Sequence, residues 1–165
     1  MSTRELIELA RSLPREEFIA KVPARFLVLG TGNGNDNDQP LGFSTQVFKA
    51  PSLAPLAQQE LVVLPIVKAA NNPYPDRVSV GRARNCDIVI RDAGISKLHA
   101  LVRIDADAFS VVDVGSQNGT FVNGKRLLDN EAAPLTCNDR IIFGTVAAQF
   151  MDGGGVHDEL NKVAI

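Results

Sequence analysis

The residues best suited to chemistry lie in a basic stretch between Asp76 and Arg103. This stretch holds six basic and three acidic side chains, a local charge of +3 in a 165-residue protein whose net charge is −2. Within it, Arg82 follows Gly81, whose missing side chain would let a ligand approach the backbone. A guanidinium can bind a phosphate through two parallel hydrogen bonds. The pattern predicts a small anion-binding site, although a mixed, solvated surface would give the same charge count.

The nucleophilic and metal-ligating side chains form no catalytic pattern in the sequence. Ser96 precedes His99 by three residues, and residues three apart in a strand project to opposite faces, so the pair does not predict a catalytic dyad. His99, His157, Cys86 and Cys137 lack the spacing of a metal site. We therefore expect no enzyme, no metal and no cofactor, and interpret His99 as structural.

A glycine-rich segment from Gly30 to Pro40 fits no nucleotide-binding pattern. Gly30 and Gly32 match the first two glycines of a G-x-G-x-x-G fingerprint, but Asn35 occupies the third position and no helix start follows. The Gly-Lys-Ser/Thr of a phosphate-binding loop does not occur in the sequence. We interpret the segment as a linker.

Two Asn-Gly pairs, Asn118-Gly119 and Asn123-Gly124, lie five residues apart. Asn-Gly is the strongest short signal for a tight hairpin turn, because both residues tolerate positive φ. Only Thr120–Val122 is left between them to form a strand. The spacing alone leaves open whether both pairs are turns or whether one asparagine has another role.

Short β-rich runs dominate the chain from Leu61 onward. They alternate with turn residues roughly every eight to twelve positions, which is typical of an antiparallel sandwich or barrel. The runs are Leu61–Val67, Val78–Val80, Ile88–Ile90, Ala100–Ile104, Phe109–Val114, Thr120–Val122, Arg140–Phe143 and Val146–Phe150. In the fourth run, alternation predicts that Ala100, Val102 and Ile104 face the core.

The first part of the chain shows helical rather than β-strand patterns. Ser2 and Glu5 fit a capping box before apolar residues at helical spacing, and Pro14 precedes a second short helix. Phe26–Leu29 and Phe43–Ala50 are candidate strands. We divide the chain into an N-terminal extension over 1–59, helical then loop-rich, a β-sandwich over 60–152, and a frayed C-terminal tail over 153–165 with at most one helical turn.

Composition places the protein among ordinary globular proteins, with 45% hydrophobic and 22% charged residues. Its slight acidity argues against a general affinity for nucleic acid or membrane surfaces. No apolar run is long enough to span a membrane, and the N-terminus lacks the apolar core of a signal peptide, so we expect a cytoplasmic location. The two cysteines are expected to be free thiols, although a disulfide can form across any sequence gap.

Four fragments of the chain together resemble the forkhead-associated (FHA) domain. They match the order and spacing of that family's G-R … S-x-x-H … N-G … N-G pattern, and the resemblance covers roughly residues 61–152. The fragments are Gly81-Arg82, Ser96-Lys97-Leu98-His99, Gly115–Thr120 and Asn123-Gly124. The resemblance implies an all-β fold, an FHA-type β-sandwich of about eleven strands, whose loops at one end bind phosphothreonine peptides.

The resemblance also implies a ligand-binding role for five residues. Arg82 would form an ion pair with the phosphate, and Ser96 would donate its hydroxyl to a phosphate oxygen. Lys97 lies where many members carry an Arg or Asn that reaches the phosphate; it keeps a charge but lacks the guanidinium fork. Asn118 would hydrogen-bond the peptide backbone. Gln117 departs from the family, because many members have a small hydroxyl residue there that touches the ligand.

Five further residues would be architectural by the same resemblance. They are Gly81, His99, Gly119, Asn123 and Gly124. His99 would brace the loop that carries Ser96, and Asn123-Gly124 would form a turn that shapes the binding loops.

The function implied is phosphothreonine-dependent peptide and protein binding, as an adaptor in Ser/Thr-kinase signalling. The expected partners are phosphothreonine proteins, with a Ser/Thr kinase or its substrate as candidates, and neither nucleic acid nor membrane. The alternative is a phospho-independent scaffold that assembles through residues 1–59. A third hypothesis is that a phosphorylated N-terminal threonine occupies the protein's own site, as in some bacterial members; Thr3, Thr31 and Thr45 are the candidates.

Overall fold

Three helices and eleven strands make up the described part of the computed structural model, residues 1–29, 61–70 and 72–162. The helices are α1 (Thr3–Ser12), α2 (Arg15–Lys21) and α3 (Gly153–Lys162). The strands are β1 (Arg25–Leu29), β2 (Val62–Pro65), β3 (Arg77–Gly81), β4 (Ile88–Val89), β5 (Ala100–Asp105), β6 (Ala108–Asp113), β7 (Thr120–Val122), β8 (Lys125–Arg126), β9 (Ala132–Leu135), β10 (Arg140–Phe143) and β11 (Val146–Asp152). The linker from Gly30 and the candidate strand Phe43–Ala50 lie outside the described residues.

The strands form two sheets that pack on a common core. The first sheet has the order β2-β1-β11-β10-β7-β8 and the second β4-β3-β5-β6-β9. Neighbouring strands are antiparallel except β3 and β4, which are parallel. The core between the sheets combines Leu27, Phe143 and Phe150 of the first with Val80 and Val102 of the second. This arrangement confirms the predicted all-β sandwich.

The β5 strand shows the predicted alternation. Ala100 and Val102 are fully buried, and Ile104 packs against the core from a partly exposed position. Arg103, between them, is exposed. A pleated strand with one face on the core requires this period of two.

A layer of helices covers the outer face of the first sheet. α1 begins with the predicted capping box, in which Ser2 and Glu5 hydrogen-bond each other's backbone, and α2 follows Pro14. The apolar cluster beneath the helices contains Leu6, Ala10, Phe18, Val156 and Leu160 together with Phe26, Val28, Val63 and Met151 of the sheet. Through this second cluster, α1 and α2 near the N-terminus and α3 near the C-terminus all pack on the sandwich.

Two expectations about chain organisation were wrong. The sandwich does not begin at residue 60, because β1 lies between β2 and β11 in the first sheet and is buried on both faces. The tail over 153–165 is not frayed at its start, because α3 is ten residues long and buries Val156 and Leu160 against the other helices. Tertiary burial overrides the poor helix propensity of its glycines.

The remaining sequence expectations concern the cysteines and the membrane. Cys86 and Cys137 are both free thiols, the first buried and the second exposed. Within the described residues, no helix combines the length and apolar character needed to cross a membrane.

Candidate functional site

The end of β3 and the loop that carries Ser96 are held together by their backbones. The N–H of Arg82 donates to the carbonyl of Ser96 at 3.0 Å, and the N–H of Ala83 donates to the carbonyl of Lys97 at 3.1 Å. A Cβ on Gly81 would lie 2.2 Å from the Lys97 carbonyl oxygen, so only glycine allows this approach. The sequence separates Arg82 from Ser96 by a whole strand, and these bonds make them neighbours.

The Arg82 side chain is anchored at one point and otherwise presented to solvent. Its Nε donates to the carbonyl of Ile95 at 3.1 Å, which orients the guanidinium along the Ser96 loop. Among the described residues, no carboxylate forms an ion pair with Arg82. Its two terminal nitrogens therefore keep their donor capacity for an external anion.

The buried His99 side chain holds the loop that carries Ser96 in place. Its Nδ1 accepts the N–H of Ser96 at 3.1 Å, so the ring proton resides on Nε2, which donates to the carbonyl of Gly119 at 2.9 Å. Burial lowers the pKa of His99 below its ordinary 6.5, although the Gly119 bond and the charge of Asp113 oppose this shift. His99 is thus a neutral brace between two loops. It does not hydrogen-bond the Ser96 hydroxyl, as a catalytic base would.

The Ser96 hydroxyl connects to the next loop while keeping its proton available. Its Oγ accepts the backbone N–H of Gln117 at 3.0 Å. An accepted bond leaves the hydroxyl hydrogen free to point at a bound anion. The side chains of Lys97 and Gln117 are exposed beside this contact.

Asp113 organises the loop between β6 and β7. This buried carboxylate accepts the hydroxyls of Ser116 and Thr120 and the backbone N–H groups of Gly115 and Ser116. Burial acts to raise the pKa of Asp113, but these hydrogen bonds outweigh it and hold the pKa below its ordinary value. The Ser116 hydroxyl also accepts the N–H of Gly119 at 3.0 Å, so it serves the loop itself.

Asn118 lies at the top of this loop and reaches across to the Ser96 loop. Its Nδ2 donates to the carbonyl of Gly94 at 2.9 Å, and this holds the side chain in place. A Cβ on Gly144 would lie 2.2 Å from that same carbonyl and 3.4 Å from the Asn118 Cβ. The amide oxygen of Asn118 stays available to accept a hydrogen bond from a peptide N–H.

Asn123-Gly124 forms the two-residue turn between β7 and β8. The residues have φ values of +49° and +84°, as a type I′ turn requires. Asn123 also donates to Asp139 at 3.0 Å and accepts the N–H of Arg140 at 2.9 Å. This pair therefore has a structural role at the β7–β8 hairpin.

The predicted site residues are brought together on neighbouring loops. Arg82, Ser96, Lys97, Gln117 and Asn118 lie after β3, before β5 and between β6 and β7. The prediction missed Asp113, whose position two residues before a glycine and three before a serine is a weak signal for such a hub. It also missed Gly94 and Gly144, whose close approach depends on contacts distant in sequence.

The class of molecule defined by these observations is a β-sandwich with a loop-borne anion site at one end. A family model for the FHA domain matches residues 78–144, which include every predicted site residue. These residues, less than half of the chain, match the FHA domain family.

Two curated relatives align over the same region. The chain is 40% identical over 74 residues to the DNA damage response protein kinase DUN1 of Saccharomyces cerevisiae, covering 40% of this chain and 14% of that protein. It is 37% identical over 75 residues to the glycogen accumulation regulator GarA of Mycobacterium tuberculosis, covering 46% of this chain and 44% of that protein. The chain thus spans less than half the length of both relatives.

Two solved domains share the fold. The FHA domain of an Arabidopsis thaliana hypothetical protein aligns with a TM-score of 0.51 and 22% identity, covering 79% of this chain and 86% of that chain. The FHA domain of yeast Dun1, in complex with a doubly phosphorylated peptide derived from Rad53, aligns with a TM-score of 0.50 and 21% identity. That alignment covers 81% of this chain and 78% of the yeast domain.

Proposed function

We propose that this protein binds phosphothreonine segments of partner proteins and acts as an adaptor in Ser/Thr-kinase signalling, without catalysing a reaction. One observation carries the proposal. The Arg82 guanidinium and the Ser96 hydroxyl are held on adjacent backbones, each anchored by one hydrogen bond and each with donors left for an anion. The match of residues 78–144 to the FHA domain model supports the ligand class. A cytoplasmic location stays a prediction.

The chemistry of a phosphothreonine matches these donors. Its phosphate carries about −1.5 to −2 charges and three strong acceptor oxygens. Arg82 supplies a planar pair of N–H donors, Ser96 one hydroxyl and Lys97 an ammonium within the same loops. Charge-assisted hydrogen bonds contribute about 1.5–3 kcal/mol each. Two or three of them, less the cost of ordering a peptide, are consistent with micromolar binding at about −8 kcal/mol.

The direct test is calorimetry with peptides selected from a degenerate phosphothreonine library. A selected peptide should bind, and its unphosphorylated form should not. Arg82→Ala should weaken binding by about 2 kcal/mol or more, roughly 30-fold, because the variant loses a charged donor pair. The matched control is Arg103→Ala, which removes the same charge from an exposed position within β5 and should bind normally. Equal affinity for both peptide forms, or no binding by any library member, would refute the proposal.

Deleting residues 1–59 would not be a clean test of the scaffold alternative. That deletion would remove α1, α2 and β1 and expose the apolar residues packed against them, Val63, Met151, Val156 and Leu160, so loss of partner capture would report unfolding. Capture of partners by Arg82→Ala discriminates without this complication. Undiminished capture by a folded Arg82→Ala protein would favour the scaffold.

A further inference from the structure

The two-residue turn between β10 and β11, Gly144-Thr145, packs on the segment that precedes Ser96. A Cβ on Gly144 would lie 2.2 Å from the Gly94 carbonyl oxygen, and a Cβ on Gly94 would lie 2.1 Å from Thr145 Oγ1. A side chain on either glycine would therefore push the turn away from the segment. The N–H of Gly144 also donates to the carbonyl of Gly119 at 2.8 Å, so the same turn is bonded to the loop between β6 and β7.

Asp92 connects this turn to Gly94 through a single carboxylate oxygen. Its Oδ1 accepts the hydroxyl of Thr145 at 2.9 Å and the backbone N–H of Gly94 at 2.8 Å. Asp92 and Thr145 are both half-buried and lie 53 residues apart in the chain. The Thr145 hydroxyl thus orients the carboxylate that holds the Gly94 backbone.

The carbonyl of Gly94 in turn holds Asn118, the residue proposed to contact the peptide backbone. Asn118 Nδ2 donates to this carbonyl at 2.9 Å. Three hydrogen bonds therefore run in series from Thr145 through Asp92 and Gly94 to Asn118. Since Gly94 has no side chain to bury, its position depends on these bonds and on the contact with the turn.

Arg82, the proposed phosphate donor, depends less on these bonds although it contacts the same segment. Its Nε donates to the carbonyl of Ile95, whose side chain is anchored in the core and only 1% exposed. The backbone N–H of Arg82 is bonded separately to Ser96. Loss of the Thr145 hydroxyl should therefore disturb Asn118 and leave Arg82 in place.

We propose that Thr145 and Asp92 are positioning residues, which hold the Asn118 side chain in the orientation that binds the phosphopeptide backbone. The inference rests on the proposed function and gives a role in it to the β10–β11 turn, which carries none of the predicted site residues. An amide whose nitrogen is held in this way presents its oxygen in one direction. Less side-chain freedom is then lost when the peptide binds, and this preserves affinity.

The experiment is a double-mutant cycle, measured by calorimetry with a phosphothreonine peptide that binds the wild-type protein. Thr145→Val keeps the shape of the side chain but removes its hydroxyl, and it should weaken binding about three- to ten-fold, the contribution of one hydrogen bond. Thr145→Ser keeps the hydroxyl and should restore most of the affinity. The double variant Asn118→Ala/Thr145→Val should bind no more weakly than Asn118→Ala, because the effect of Thr145 passes through Asn118.

Thr3→Val is the matched control, because it removes a half-buried threonine hydroxyl in the helical layer. Thr3 Oγ1 accepts the N–H of Val63 at 3.0 Å, so this variant also loses a bond between distant parts of the chain. It should bind the peptide normally. Asp92→Ala breaks the series of bonds at its centre and should reproduce both the loss of affinity and its dependence on Asn118. It takes the place of Thr145→Val if that variant does not fold.

Three results would overturn the inference. They are wild-type affinity of folded Thr145→Val, a loss that persists in full in the Asn118→Ala background, and an equal loss in Thr3→Val. If the wild type binds the peptide and one of these results is found, only the role of Thr145 and Asp92 falls. If the wild type binds no phosphothreonine peptide, the proposed function falls as well.

Discussion

At the scale of single residues, Asn118 and Asn123 show how one dipeptide serves two purposes. Asn123 and Gly124 both adopt positive φ and close the β7–β8 hairpin. In the other pair only Gly119 has a positive φ, of +85°, and Asn118 instead sends its amide across to the Gly94 carbonyl. Asn123-Gly124 is therefore a turn, whereas Asn118-Gly119 is a bend that directs the Asn118 side chain across the binding loops.

Asn118→Ala should therefore weaken peptide binding while leaving most of the fold's stability. The variant loses the proposed contact with the peptide backbone. Its free energy of unfolding should fall by only about 0.5–1.5 kcal/mol, the net contribution of the single hydrogen bond to Gly94. Calorimetry with a phosphothreonine peptide and urea unfolding measure the two effects on the same preparation.

Gly124→Ala is the matched control, because it should show the opposite pattern. A Cβ at φ +84° costs about 1–2 kcal/mol in the left-handed region, whereas the binding loops are untouched. The folded Gly124→Ala protein should bind the peptide normally. An Asn118→Ala protein with wild-type affinity would contradict the ligand-binding role of Asn118.

At the scale of elements, the helical layer explains why β1 is apolar on both faces. Phe26 and Val28 pack beneath the helices, and Leu27 between them packs in the sandwich core. The helices contact β1, β2 and β11, and none of these strands carries a predicted site residue. The layer should therefore govern the stability of the sandwich and leave the geometry of the site unchanged.

Phe18→Ala tests this separation of stability from binding. Phe18 is fully buried in the helical cluster, and truncating it should lower the free energy of unfolding by about 3–5 kcal/mol. Ile19, the next residue of α2, is 41% exposed, and Ile19→Ala should cost about 1 kcal/mol or less. Both variants, measured under conditions where they are folded, should bind phosphopeptide like wild type. Reduced affinity of folded Phe18→Ala would show that the helices act on the site.

At the scale of the whole molecule, local patterns predicted most strands but few of the contacts between them. All eight β-rich runs after Leu61 contain a strand, because burial of one face imposes a period of two that is visible locally. β8 is only two residues long, and β9 contains Pro134, which is tolerated because β9 is an edge strand. The pairing of β1 with β11 cannot be predicted from local spacing, because the two strands lie near opposite ends of the chain.

The same limit applies to the candidate site. Arg82, Ser96 and Asn118 were found because short motifs carry them, whereas the close approach of Gly144 to the Gly94 carbonyl exists only in the folded chain. Asp113 likewise becomes a hub only when its loop folds back on it. Motifs predict which residues take part, and strand register decides which of them meet.

The protonation states of two buried groups in the site, His99 and Asp113, also affect the free energy of unfolding of the protein. His99 must stay neutral to accept the Ser96 N–H, and Asp113 must stay ionised to accept four hydrogen bonds. The folded pKa of each group lies below its ordinary value, so the unfolded chain takes up the proton first as the pH falls. For His99 the loss of stability begins near pH 6.5, and for Asp113 near pH 3.8, the ordinary values of the two groups.

The free energy of unfolding should therefore be level between pH 7 and 7.5 and decline from about pH 6.5 downward, by at most about 1.4 kcal/mol per pH unit for His99. Urea unfolding at half-unit steps from pH 7.5 to 5.0 measures this slope in the wild type, His99→Gln and His157→Gln. His99→Gln should be less stable at pH 7.5 but lack the His99 part of the slope, because glutamine does not titrate. His157→Gln, which removes the chain's only other histidine, should retain it. If His99→Gln does not fold, NMR titration of the wild-type ring protons decides the question, since a pKa of 6.5 or above for His99 would contradict its role as a neutral brace.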